Sequence, residues 1–144
     1  VNPTNVGAIF RSAAALGMGC RKNKESEAVE KAAFSCLKEN DIYPEAVAAL
    51  ASIDVKKEEP GLLALSEKLG VPFKTFSSEE LLSVQGEFTS STFVSKTVGV
   101  DNVCERSAVK AAENHTGIHF IQRKRGAEGV TTALVLGDWR IRFE

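Results

Sequence analysis

The segment Gly17-Met18-Gly19-Cys20-Arg21-Lys22, with Lys24 just beyond it, gathers the most chemically suggestive side chains of the chain. Glycines allow close backbone approach, and a helix starting after them offers unpaired N–H donors and a partial positive charge. Arg21, Lys22 and Lys24 add the same sign. Such a turn suits a phosphate or carboxylate, and the alternative is a plain glycine turn edged by solvated basic residues. Cys20 lies in this electropositive setting, which lowers a thiol pKa and makes it a candidate nucleophile, although no histidine is near it in sequence to serve as base. The glycine fingerprint of dinucleotide sites is incomplete, because Lys22 stands where the third glycine belongs, and there is no P-loop.

A second candidate is Asp54, which ends an apolar run and precedes Lys56, Lys57, Glu58 and Glu59. Its carboxylate is placed to act as general base toward a water or to accept N–H groups of the next helix. Glu58 and Glu59 suit the positive end of that helix. Arg123-Lys124-Arg125 forms another basic cluster, expected in a loop, which reads as a solvated turn or a carboxylate clamp. His115 and His119 span a helix end, Gly117 and a strand start, so no metal site is expected there. Cys36 and Cys104 fall on predicted helical core faces and read as packing residues.

The elements that must position these groups alternate. Ala13 to Gly19 reads as a strand stopping at glycines, and Glu25 to Asn40 as a helix burying Ala28, Ala32, Cys36 and Val29, Ala33, Leu37. Val47 to Ile53 has strand length, and Pro60 opens a helix with Leu62, Leu65 and Leu69 inward, closed by Gly70 and Pro72. A third strand, Val71 to Phe76, meets the capping box Ser77-x-x-Glu80, which starts a short helix through Val84. In the polar stretch 85–101, Phe88, Phe93 and Val94 are expected anchors. Asp101 is placed to cap a helix that buries Cys104, Ala108, Ala111 and Ala112 and ends near Asn114. Ile118–Arg123 and Val130–Leu136 suggest an antiparallel hairpin around a basic loop, with Trp139–Phe143 as an edge strand. The expected fold is a three-layer α/β/α sandwich whose mixed central sheet is parallel in its N-terminal part and ends in the antiparallel hairpin. In such sheets ligands bind beyond the carboxyl ends of the parallel strands, where the Gly17 and Asp54 loops fall.

With 144 residues, 43% hydrophobic and 26% charged, and no apolar stretch of membrane-span length, the chain is neither fibrous, disordered nor transmembrane. The 18 basic and 19 acidic residues leave a net charge of −1, and no stacking platform is visible, which argues against a nucleic-acid partner. Three widely spaced cysteines point to a reducing, cytoplasmic compartment. The only methionine is Met18 and the chain opens Val1-Asn2-Pro3, so a longer or processed polypeptide is expected, with residues 1–12 as linker or remnant and 13–144 as the domain.

Taken jointly, several stretches resemble the C-terminal domain family of the cobalamin-biosynthesis protein CbiG, which also occurs as the stand-alone protein CobE. They are Gly17-Met18-Gly19-Cys20-Arg21-Lys22, Ala51-Ser52-Ile53-Asp54-Val55-Lys56 with Glu59-Pro60-Gly61-Leu62, and Gly70-Val71-Pro72 through Glu79-Glu80-Leu81. Ser91-Thr92-Phe93-Val94, Val98-Gly99-Val100, Val103-Cys104-Glu105 with Ala108, and Lys124 followed by Gly129-Val130-Thr131 continue the match in order. The resemblance implies the anaerobic corrin pathway, in which relatives with an additional N-terminal region resemble cobalt-precorrin-5A hydrolase, opening a ring-A lactone and releasing acetaldehyde. The implied ligand is a cobalt-bearing tetrapyrrole fringed with carboxylates, its cobalt arriving with the substrate and no separate cofactor being needed. Gly17, Gly19, Arg21, Lys22 and Lys56 would then hold carboxylates, as would Lys124 if the hairpin folds toward that edge. Asp54 would activate water, with Cys20 as the other catalytic candidate. Two other readings stand beside this one: a non-catalytic module docking onto its own N-terminal region or a pathway partner, and a generic nucleotide-binding domain.

Overall fold

The structure, a computed structural model, describes residues 8–86, 88, 102–113 and 116–142. Five strands, β1 (Ala8–Cys20), β2 (Val47–Ile53), β3 (Phe73–Phe76), β4 (Thr116–Ala127) and β5 (Val130–Arg142), form one sheet in the order β3-β2-β1-β5-β4. β1, β2 and β3 run parallel, while β5 pairs antiparallel with β1 along its whole length and β4 pairs antiparallel with β5. Helices α1 (Ser26–Glu39) and α2 (Pro60–Leu69) make the parallel crossovers, and α3 (Ser78–Leu82) and α4 (Val103–Ala111) precede the hairpin.

Alternation along β1 divides the core. Ala14, Leu16 and Met18 face Val29, Ala33, Cys36 and Leu37 of α1 and Leu62 and Leu65 of α2, together with Leu50 and Leu134. Leu16, Leu50, Leu62 and Leu134 are wholly buried, each worth about 1.5–3 kcal/mol relative to exposure. On the other face Ala15, Ala49 and Ala51 meet Ala108, Ala111 and Ala112 of α4. Alanine against alanine brings α4 close to the sheet, and Ile53, Leu81 and Val103 extend that layer to α3. The result is the expected α/β/α sandwich with a mixed sheet.

The capping box forms as expected, Ser77 Oγ accepting the Glu80 N–H at 3.1 Å and Glu80 Oε1 accepting the Ser77 N–H at 3.0 Å, although α3 ends at Leu82. Other local expectations are corrected. Asn102, with φ of 54°, caps α4 by accepting the Glu105 N–H at 3.1 Å; Asp101 and the expected helix end at Asn114 lie outside the described residues. β1 begins at Ala8, and Ala8 to Ser12 pair with Arg142 to Asp138. The same pairing places Trp139–Arg142 inside β5 and leaves β4 as the edge. Arg123, Lys124 and Arg125 are strand residues: only Glu128 and Gly129 turn the chain, both at positive φ, a two-residue turn matched to strand twist. Their charges are tolerated because an edge strand keeps contact with water. Phe88 meets Phe120 edge-on, with centroids 6.5 Å apart, and the Arg106 guanidinium lies 4.5 Å from its ring; Phe93 and Val94 lie outside the described residues.

Candidate functional site

A cleft of about 500 Å³ opens at the carboxyl ends of β1 and β2, between the first turn of α4 and the β4–β5 turn. It follows from the topology, since that end of a parallel sheet collects the loops and helix starts. Gly19 and Cys20 come from β1, with Arg21 just after it; Ser52, Ile53 and Lys56 come from the end of β2 and its turn. Val103 and Cys104 of α4 close a second side, and Lys124 with residues 126–131 of the hairpin closes the third. Ile53, Val103, Ala127 and Val130 make much of this surface apolar, while Arg21, Lys56 and Lys124 bring cations from three separate elements.

Hydrogen bonds fix the frame. Ser52 Oγ donates to Met18 O at 2.7 Å, tying β2 to β1, and Thr131 Oγ1 donates to Gly19 O at 3.4 Å. The Arg21 N–H donates to Gly129 O at 3.2 Å, joining the loop after β1 to the hairpin turn. That loop is held from the other side by Glu59, a buried side chain whose two carboxylate oxygens accept the Asn23 N–H at 2.8 and 3.0 Å. Lys56 Nζ lies 3.8 Å from Glu59 Oε1. Glu59 therefore organises the cation-bearing loop in addition to preceding α2, a role that its neighbours in sequence do not disclose.

The structure brings Gly19, Cys20, Arg21, Lys56 and Lys124 together around the cleft and leaves Gly17, Lys22 and Asp54 outside its lining. Gly17 lies two residues further back along β1, where a Cβ would fall 1.9 Å from Cys104 O and 3.0 Å from Ala108 Cβ; its lack of a side chain is used by α4. Lys22 is exposed in the turn. Asp54 is exposed too, and its carbonyl accepts the Lys57 N–H at 3.0 Å. The expected lowering of the Cys20 pKa is reversed: burial pushes the thiol up, and the opposing pulls of Lys56 and Lys24 do not overcome it, with Glu59 adding to the rise. Cys36 and Cys104 are buried packing residues as expected, and burial pushes the Cys104 thiol up to about 12.

Glu105 is the residue that motif reading missed. It is wholly buried, and its Oε2 accepts the Lys124 N–H at 2.6 Å while Arg123 Nη1 lies 3.5 Å from its Oε1. One signal was present, because Glu105 shares the i, i+3, i+7 stripe of Ala108 and Ala112 that periodicity places inward. His119 is exposed, with Nδ1 3.0 Å from Gly117 O, and His115 lies outside the described residues. Among the described residues no group of three or more His, Cys, Asp or Glu side chains is placed to hold a metal ion, and no helix is long and apolar enough to cross a membrane.

Comparison with known proteins follows the same outline. The chain is 39% identical over 87 residues to the cobalt-precorrin-5A hydrolase of Salmonella typhimurium, a match covering 60% of this chain and 25% of that protein. It is 31% identical over 133 residues to the cobalt-precorrin-5A hydrolase of Priestia megaterium, covering 92% of this chain and 35% of that one. The chain thus spans between a quarter and about a third of the length of these two relatives. The crystal structure of CobE, a protein from the cobalamin (vitamin B12) biosynthetic pathway, superposes with a TM-score of 0.79 at 27% identity, covering 92% of this chain and 93% of that one. The family model described as cobalamin synthesis G C-terminus matches residues 14–135, from the middle of β1 into β5. The chain belongs to the cobalamin synthesis G C-terminus family.

Proposed function

We propose that this domain is the tetrapyrrole-holding part of a cobalt-precorrin-5A hydrolase of the anaerobic corrin pathway, gripping peripheral carboxylates of the cobalt-bearing macrocycle while the ring-A lactone is opened and acetaldehyde released. The observation that carries this reading is the convergence of Arg21, Lys56 and Lys124 on one cleft floored by Ile53, Val103, Ala127 and Val130. Apolar surface suits the edge of a macrocycle, and cations on its rim suit acetate and propionate groups. Cobalt is part of the substrate in this scheme and makes no demand on the protein for ligands.

The thiol of Cys20, which burial pushes up, fits a wall of the cleft better than a nucleophile. Asp54, exposed in the turn that also carries Lys56, is the residue to substitute in testing for activation of a water toward a ligand overhanging the cleft. The regions of the hydrolase relatives that this chain does not span would close over the ligand from the open side, making the chain's own N-terminal region its first partner. Three free thiols suit a reducing, cytoplasmic compartment.

Titration of the protein with a cobalt corrinoid bearing free carboxylates, followed by its visible spectrum, tests the reading. A saturable shift weakened about fivefold to tenfold by Arg21→Ala or Lys124→Ala is expected, as for loss of one charge-assisted contact. An unchanged spectrum at high micromolar protein overturns it. Acetaldehyde release, measured with and without the rest of the hydrolase, separates holding from hydrolysis, and Asp54→Asn with full activity removes Asp54 as base.

A further inference from the structure

The ladder between β4 and β5 slips three times, and the slip nearest the cleft re-aims a cation. Gln122 pairs with Leu134 and Arg125 with Thr132, so β4 spends one more residue than β5 over that interval, a one-residue bulge. Strict alternation would put Lys124 on the same face as Gln122. Instead Gln122 and Arg125 both address the end of α1: Gln122 Oε1 accepts from Asn40 Nδ2 at 3.0 Å, and Arg125 forms an ion pair with Glu39. The two residues between them, Arg123 and Lys124, both meet Glu105 of α4. The bulge turns Lys124 away from the α1 side and toward the cleft, whose lining it joins.

A bulge takes a backbone N–H out of the strand ladder, and that donor needs another acceptor. Glu105 Oε2 is that acceptor for Lys124, at 2.6 Å from its nitrogen. The carboxylate is wholly buried, on the first turn of a helix whose start is held by the Asn102 side chain through the Glu105 N–H. A carboxylate buried this deeply is costly unless charge and hydrogen bonds compensate it, and Arg123 Nη1 at 3.5 Å supplies part of the charge. We infer that Glu105 is a positioning residue for the ligand cleft: by accepting the Lys124 N–H across the β4 bulge, it sets the direction from which the Lys124 side chain reaches a bound carboxylate. This rests on the carboxylate-binding reading of the cleft.

The test is a double-mutant cycle on binding of a cobalt corrinoid with free carboxylates, using Glu105→Ala, Glu105→Gln, Lys124→Ala and the Glu105→Ala/Lys124→Ala pair. Glu105→Ala removes the acceptor and is expected to weaken binding about as much as Lys124→Ala, roughly tenfold, with little further loss in the pair. Glu105→Gln keeps an amide oxygen for the Lys124 N–H and is expected to stay within about twofold of wild type. Additive losses in the pair overturn the inference, as does a Glu105→Ala variant binding like wild type. Corrinoid binding that Lys124→Ala leaves unchanged overturns the positioning of Lys124, whereas failure of the wild-type protein to bind overturns the cleft reading itself. Should Glu105→Ala fail to fold, native-state hydrogen exchange of the wild-type chain decides: a Lys124 amide as protected as its β5-paired neighbours supports the inference, and one exchanging like an exposed loop amide overturns it.

Discussion

Replacing Gly17 by alanine separates a packing role from a ligand role at the first glycine of the loop motif. A Cβ there would sit 1.9 Å from Cys104 O, 2.9 Å from Cys104 C and 3.0 Å from Ala108 Cβ. Ordinary contact requires roughly 3.4 Å or more, so α4 or β1 must move by over about 1 Å. The obstacle is backbone on both sides: Gly17 is paired to Ala51 and Ala133 in mid-sheet, and Cys104 belongs to the first turn of α4. No rotamer relieves it. Overpacking of this kind costs about 1–3 kcal/mol, and a clash between two fixed backbones belongs near 3 kcal/mol. For a chain of this size the melting temperature should fall by roughly 10 °C, read by circular dichroism, with a matching drop in the urea midpoint at unchanged slope. Gly19→Ala is the control. Its Cβ would meet only Thr131 Oγ1, at 2.9 Å, and that hydroxyl sits on a rotatable side chain, so a loss below about 1 kcal/mol is expected. A Gly17→Ala protein melting within about 2 °C of wild type refutes the packing argument, and one that is equally stable but no longer binds corrinoid returns Gly17 to the ligand.

Glu59→Ala should cost about 2 kcal/mol in urea unfolding, because it strips the buried acceptor from the Asn23 N–H and the partner from Lys56; an unchanged midpoint would show that the loop after β1 does not depend on it. Stability should decline as pH rises from about 9 toward 12. The Cys104 thiol is raised from 9.0 to about 12 in the folded protein, so the unfolded chain loses that proton first, and the contribution is complete below 9 and spent as pH passes 12. Urea midpoints measured at pH 8, 9 and 10 should fall less steeply in Cys104→Ala than in wild type, and parallel curves would refute the assignment.

Local chemistry made much of this fold legible. The proline at the start of α2, the Ser77–Glu80 box and the apolar stripes of α1 and α4 each act within one or two helical turns, so their residues are neighbours in sequence and in space, whereas the expected glycine turn is not one: Gly17 and Gly19 are strand residues of β1 paired to Ala133 and Thr131 of β5, and the chain turns only after Cys20. That β1, β2 and β3 run parallel followed from the alternation of strands and helices, whereas their order in the sheet came from the structure. The hairpin was legible in outline, but its basic residues were assigned to a loop. Whether Arg123, Lys124 and Arg125 turn or extend depends on β5 lying alongside, and β5 is itself held along the full length of β1.

From the sequence alone came the α/β/α architecture, the end of the sheet at which the cleft opens, and Gly19, Arg21, Lys56 and Lys124 among the groups that line it. Tertiary structure alone decided how those groups are held. Glu59 reaches the loop 36 residues before it, Glu105 meets a strand 19 residues after it, and α4 seats its first turn on Gly17. It also decided that the Cys20 thiol is pushed up rather than down, because a thiol in sequence is known only by its charged neighbours, and the burial that outweighs Lys56 and Lys24 exists only once β1, α4 and the hairpin have closed around it. Charge and periodicity are properties of neighbouring residues, whereas desolvation and the pairing of a bulged amide are properties of surfaces brought together by the whole chain.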